Sequence, residues 1–351
     1  MTAPVSISDV SNALLNLFEL TDAKSKAGNS LVESLVSSFA GGADGDAPAK
    51  GVLGSLSALS TAPTAGTAAT TTTPPPRFDA SDLYGASGRP READIQQDSV
   101  GDCYFVAVLG AVGERTPDRI KNAISYDAST GTFNVKLYTN EFTWNPPGFK
   151  QVTIPVTQQD ILDNLTRRGG SIVDNNAGTD SPIWPAVMET AFAKMNDGNW
   201  SDGLAQGYKA IDGGWARDAM LAITGKPADE LRGMGLFDTE TQAEILFMQV
   251  REAIADGRPV TLSTDPEART LAEIIQNKPG AQDGLVDDHV YMVDRVYKNS
   301  AGEVMVELRN PWGNNNNVGE GRDTANATIS VKLETLLETK GIDCFTVGPR
   351  A

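Results

Sequence analysis

The sequence predicts an α+β protein of two lobes, a helical first half followed by a half rich in sheet. The apolar run from Phe105 to Val112 is nearly unbroken, as in a buried helix. Trp184, Val187, Met188, Ala191, Phe192 and Met195 recur at helical spacing and mark the apolar face of another. Past the paired glycines Gly213 and Gly214, segments at Pro259–Ser263, Asp288–Tyr297 and Glu303–Asn310 read as strands. The glycine pair reads as a hinge, which places a first lobe at 78–213 and a second at 214–351.

Taken in order, residues 1–40 carry Leu14, Leu15, Leu17, Phe18 and then Leu31, Val32, Leu35, Val36, Phe39 at helical spacing, with Ser8 and Asp9 available as caps. Residues 41–77 shift to Ala, Gly, Ser, Thr and Pro, ending TTTTPPPR. Such a segment buries too little apolar surface to offset its ordering entropy, so it reads as a linker. A helical segment on a flexible tether is a candidate pro-segment that folds over its own protein. Asp102 to Val112 follows as a helix, with short strands at Thr132–Leu137 and Gln151–Val156. Pro185 falls in the first turn of the 184–195 helix, where its missing N–H costs nothing. Two further helices are expected at Ala216–Ile223 and Glu240–Ala255.

Composition excludes several classes of function. The 351-residue chain carries 29 Lys and Arg against 46 Asp and Glu, a formal charge of −17, which repels nucleic acid and anionic membranes. Two cysteines, Cys103 and Cys344, make no disulfide framework and no zinc cluster. The longest apolar run falls short of the ~18 residues that span a bilayer, and no basic segment precedes an apolar one at the start. The expected address is the cytoplasm, or export without a conventional signal peptide.

The chemistry gathers around Cys103 and the single histidine, His289. A free cysteine on an apolar helix is commonly a small packed hydrophobe. A thiol in the first turn of a helix, however, sits in the positive end of the macrodipole, which favours the thiolate. Strand alternation puts His289, Tyr291 and Val293 on one face, and Val304, Val306, Leu308 and Asn310 on one face of the next strand. A hairpin centred between Asn299 and Ser300 sets His289 directly across from Asn310. An amide oxygen accepting from one ring N–H would fix the tautomer and aim the other nitrogen. The Cys103 backbone N–H and the Gln97 amide could together hold an oxyanion.

These residues resemble the calpain family of papain-like cysteine proteases. QDSVGDCYF is similar to its Q-G-x-x-G-D-C-W block, DDHVYMVDRVY to G-H-A-Y-x-V, and LRNPWG to R-N-P-W-G. SPIWPAVMETAFAKMN is similar to L-W-P-x-L-x-E-K-A-Y-A-K, and DGGW to T-G-G. The resemblance runs in order over residues 78–348. It implies a papain-like fold and a thiol endopeptidase acting on polypeptides, with a Cys103, His289, Asn310 triad and Gln97 at the oxyanion hole. It further implies that Trp312 packs over the triad and that Gly213 and Gly214 let a substrate backbone approach. Asp98, Tyr104 and Asp288 depart from the pattern, standing where the family has Gly, Trp and Gly.

For cofactors, the resemblance leaves calcium as the one candidate, and none as a requirement. Asp94 and Glu189, with carbonyls of Ser87 and Arg89, match the first lobe's calcium ligands, a donor set suited to a hard cation. In the second lobe Asp323 matches one ligand, Asn316 stands where a glutamate is expected, and an acidic stretch is missing. Glu92 replaces the arginine that bridges the lobes when calcium binds. Two alternatives remain on the same fold, a catalytically silent peptide-binding module and an acyl transferase.

Overall fold

The computed structural model describes residues 78–97, 100–144, 147–166, 182–197, 204–266, 268–269, 283–315 and 326–351. The chain divides into two compact units, and the one made of residues 1–73 with 270–279 lies outside the described residues. The helical segment at 1–40, the linker at 41–77, Asp98, Asn316 and Asp323 lie outside them as well.

Three short 3-10 turns lead to helix α1, Cys103–Arg115, in which every residue from Tyr104 to Gly113 is buried. No charged residue occurs before Glu114, so the helix is shaped for an interior rather than for a surface. Helix α2 (Pro117–Ala123) and strands β1 (Ile124–Asp127), β2 (Thr132–Trp144) and β3 (Pro147–Val156) follow. The strands form a three-stranded antiparallel sheet in chain order. Helices α3 (Gln158–Thr166), α4 (Trp184–Asp197), α5 (Leu204–Lys209) and α6 (Ala216–Thr224) complete this part. Helix α4 is buried all round from Trp184 to Ala193, beyond the one apolar stripe read in the sequence, and Phe192 stacks on Phe105 of α1 at a centroid distance of 4.0 Å.

The remainder is β4 (Asp229–Leu231), α7 (Thr239–Ala255), β5 (Val260–Thr264), β6 (Val290–Lys298), β7 (Val304–Arg309), β8 (Thr328–Lys332), α8 (Leu333–Thr339) and β9 (Ile342–Val347). Its strands form a six-stranded antiparallel sheet in the order β4-β9-β5-β6-β7-β8. The fold is therefore α+β, with helices dominating the first half and sheet the second. Among the described residues no helix is long and apolar enough to cross a membrane.

Two apolar cores result. The first joins α1, α4 and the three-stranded sheet, and takes in Ala216, Ala219, Met220, Ala222 and Ile223 of α6, beyond the paired glycines. The second joins α7 and α8 to the six-stranded sheet, from Ala243 to Val347. Strand β6 belongs to both: Val290 and Met292 enter the first core, Tyr291 and Val293 the second.

The hairpin of β6 and β7 departs from the expected register. Lys298 pairs with Val304 and Val296 with Val306, which centres the turn on Ala301 rather than between Asn299 and Ser300. Gly302 at φ +82° takes the left-handed position of that turn, while the Asn299 side chain accepts from Ala301 and Glu303 N–H. A bulge between Val293 and Arg295 then shifts the ladder by one, to Val293 with Leu308 and Met292 with Arg309. His289 and Asn310 are thus not ladder partners. Each sits just outside its strand, and they meet there.

Candidate active site

Cys103 is the first residue of α1, entered from Asp102. The backbone N–H of Val290, the residue after His289, faces the thiol, as does that of Tyr104. His289 is 4% exposed; its backbone N–H donates to Thr264 Oγ1 at 3.0 Å and its carbonyl accepts from Thr264 N at 2.9 Å. Asp288, where the resemblance expects glycine, has φ +50°, a left-handed conformation that aspartate tolerates better than most residues.

His289 Nε2 lies 3.0 Å from Asn310 Oδ1, and Asn310 is fully buried. The same oxygen accepts from Trp312 N at 3.0 Å. The half-buried Trp312 ring lies over the imidazole at a centroid distance of 4.6 Å, and Tyr291 meets it edge-on at 4.9 Å. The Asn310 Nδ2 donates to Asn315 Oδ1 at 3.3 Å, and Asn315 Nδ2 to the Asn326 carbonyl at 2.6 Å. Sequence reading passed over Asn315, which lies in a run of four asparagines that looks like turn composition alone.

Gln97 is buried beside these groups. Its backbone N–H donates 2.7 Å to the Pro311 carbonyl, tying it to the loop that carries Asn310. Its side-chain nitrogen donates to Val100 O at 2.7 Å and to Asp102 Oδ1 at 3.0 Å. Both amide hydrogens therefore go to internal acceptors, rather than to an open oxyanion position as expected. Gly213 N donates to Gly101 O at 2.9 Å, and a Cβ on Gly214 would lie 2.4 Å from the Tyr104 ring. The exposed glycine pair thus lies against the entry to α1, next to Cys103.

Burial dominates the electrostatics. It pushes the Cys103 thiol up to about 11, the Val290 and Tyr104 N–H groups opposing it and the Asp102 and Asp288 carboxylates adding to it. The expected gain for thiolate at the helix N-terminus is outweighed. Burial also lowers His289 to about 4, against the hydrogen bond it makes to Asn310 Oδ1. Each group is neutral in this arrangement.

Three of the donors that the resemblance assigns to calcium are hydrogen-bonded within the protein. Asp94 accepts from Trp184 Nε1 at 2.9 Å, from Arg91 N at 2.9 Å and from the Arg91 guanidinium at 3.3 Å. Glu189 is 1% exposed within α4 and accepts from Asn164 at 3.4 Å. The Arg89 carbonyl accepts from Ser87 Oγ at 2.7 Å. Each of these three donors accepts from a protein N–H or O–H group, and a guanidinium stands beside one of them. Among the described residues, no three His, Cys, Asp or Glu side chains are grouped to hold a metal. Glu92, in place of the bridging arginine, shares a hydrogen bond with Asp294 of β6. Burial and Glu92 together push Asp294 up to about 8.

A description of calpain family cysteine proteases matches residues 80–336. The fold thus carries a cysteine protease domain. The chain belongs to the calpain family. Calpain-13 of Rattus norvegicus is 26% identical over 250 residues, 68% of this chain and 31% of that protein. Calpain-5 of Mus musculus is 26% identical over 255 residues, 66% and 36% of the two chains. Calpain-9 of Homo sapiens is 25% identical over 229 residues, 64% and 29%. The matched region spans about a third of the length of these relatives.

Proposed function

We propose that the chain is a cysteine endopeptidase that hydrolyses polypeptides through Cys103, His289 and Asn310. The observation that carries this is the buried His289 to Asn310 bond of 3.0 Å under Trp312, next to a helix-head thiol faced by the Val290 N–H. With Nε2–H donated to Asn310, the other ring nitrogen has a lone pair to accept the thiol proton. Since burial favours the neutral pair, the proton moves from sulfur to imidazole as the sulfur attacks the peptide carbonyl. The imidazolium then protonates the leaving amine, leaving a thioester on Cys103. In the second half His289 takes a proton from water as its oxygen attacks the thioester carbonyl; the C–S bond breaks, the acid leaves, and the imidazolium returns its proton to the Cys103 sulfur.

Gln97 contributes to the oxyanion hole in this reading, by turning one amide hydrogen from Asp102 to the new oxyanion beside Cys103. Gly213 and Gly214 line the approach of the substrate backbone. No step in this reading is routed through calcium.

The test is cleavage of a casein-type substrate by the full chain, with calcium or with chelator, beside Cys103→Ala. Wild type is expected to cleave in both conditions at similar rates and the variant to lose about a thousandfold or more. Equal cleavage by wild type and Cys103→Ala would sink the nucleophile, and activity seen only with calcium would sink cation-independent assembly. Products that join two substrates instead of adding water would indicate acyl transfer.

A further inference from the structure

Two side-chain amides and two backbone groups beside His289 form a chain whose direction can be read from its ends. The Asn326 carbonyl can only accept, so the Asn315 side chain must present its nitrogen there, at 2.6 Å. Its oxygen is then left for Asn310, whose nitrogen donates to it at 3.3 Å. That turns Asn310 Oδ1 toward His289 Nε2 at 3.0 Å. The Trp312 N–H, which can only donate, meets the same oxygen at 3.0 Å and requires the same orientation. An imidazole nitrogen facing an amide oxygen must carry the hydrogen, so the neutral ring is the Nε2–H tautomer.

We infer that Asn315 is a positioning residue, which holds the Asn310 amide in one orientation and thereby fixes the tautomer of His289. Asn315 is 2% exposed and Asn310 is fully buried, so neither amide turns to water for a substitute partner. Removing Asn315 leaves a buried NH2 on Asn310 with no acceptor. An amide that turns to relieve this faces nitrogen against both the Trp312 N–H and the ring N–H, and the ring then moves its hydrogen to the other nitrogen. That nitrogen is the one the Cys103 proton needs. The inference rests on the proposed triad for its kinetic consequence, but not for its structural one.

The experiment separates the two. In the full chain, the single histidine gives an unambiguous ¹⁵N signature of its tautomer. The chain carrying Cys103→Ala, which prevents self-cleavage, is compared with the same chain carrying Asn315→Leu or Asn315→Asp. The parent is expected to show Nε2–H. Asn315→Leu, which neither donates nor accepts, should show a mixture of tautomers. Asn315→Asp keeps an acceptor for Asn310 but sets an oxygen against the Asn326 carbonyl, so it should lose stability and keep Nε2–H.

With Cys103 intact, Asn315→Leu should lower kcat about tenfold at a KM within about twofold, the size expected when a buried donor loses its acceptor. Asn315→Asp should stay within about threefold of wild type. The same tautomer in all chains would overturn the inference even if Asn315→Leu were less stable, as would a shifted tautomer in Asn315→Asp. Should Asn315→Leu fail to fold, the Asp variant decides alone: Nε2–H with near-normal kcat supports the inference, and a shifted tautomer overturns it. A wild type without any cleavage would defeat the proposed function and leave the tautomer result standing.

Discussion

His289 is confined between an amide at Nε2, an indole over its face and the Tyr291 ring at its edge, and it is 4% exposed. A charge there has little water, which is why its pKa drops to about 4 from the ordinary 6.5. Between these values the unfolded chain binds a proton that the native chain refuses. The contribution to stability is therefore whole above pH 6.5 and is lost as the pH falls through 4, a span worth roughly 3 kcal/mol. The ring signals of His289 should stay at their neutral positions from pH 7 to 5. Urea unfolding of wild type should weaken over that range more than that of His289→Gln. A ring midpoint near 6.5 would contradict the burial. Cys103 is shifted in the opposite sense by the same cause, so iodoacetamide should alkylate it slowly at neutral pH.

At the scale of elements, β6 joins the chemistry to the fold through one irregularity. The bulge at Asp294 turns a carboxylate inward against Glu92, with Glu307 and Arg309 from β7 around it and the Arg115 guanidinium of α1 on its carbonyl. A carboxyl raised to about 8 keeps its proton in the native chain where the unfolded chain, near 3.8, has lost it. Stability from this site is present at acid pH and declines as pH rises through that window. Asp294→Asn, which supplies a permanent donor to Glu92, should raise the urea midpoint at pH 8 and change it little at pH 4.5; an unchanged midpoint at pH 8 would argue against the shared proton. None of this was legible in the sequence. An unbroken apolar run located α1, helical spacing located α4, and alternation located β2, β3, β6 and β7, because burial leaves a pattern in the sequence. A bulge leaves none, since it changes only which residue faces which. The meeting of His289 with Asn310 was legible through their types and the short turn, although the register proposed for it was wrong. The orientation of the Gln97 amide was hidden because it depends on Val100 and Asp102, whose backbone path no periodicity encodes. Asn315 was hidden among its identical neighbours.

For the molecule as a whole, the difference between the two halves was visible in composition, and the way they are joined was not. Alternate side chains of β6 fill two cores, Val290 and Met292 in one and Tyr291 and Val293 in the other. A strand serving two interiors cannot leave one without opening the other. Cooperativity follows: melting of residues 78–351 should be a single calorimetric transition, with equal calorimetric and van 't Hoff enthalpies, and cutting at Gly213 should leave neither fragment folded. Two resolved transitions would show that β6 does not couple the cores. The same strand begins at the residue after His289, so the imidazole is anchored where the molecule's cooperative unit is held together, and its loss of position would coincide with global unfolding rather than precede it.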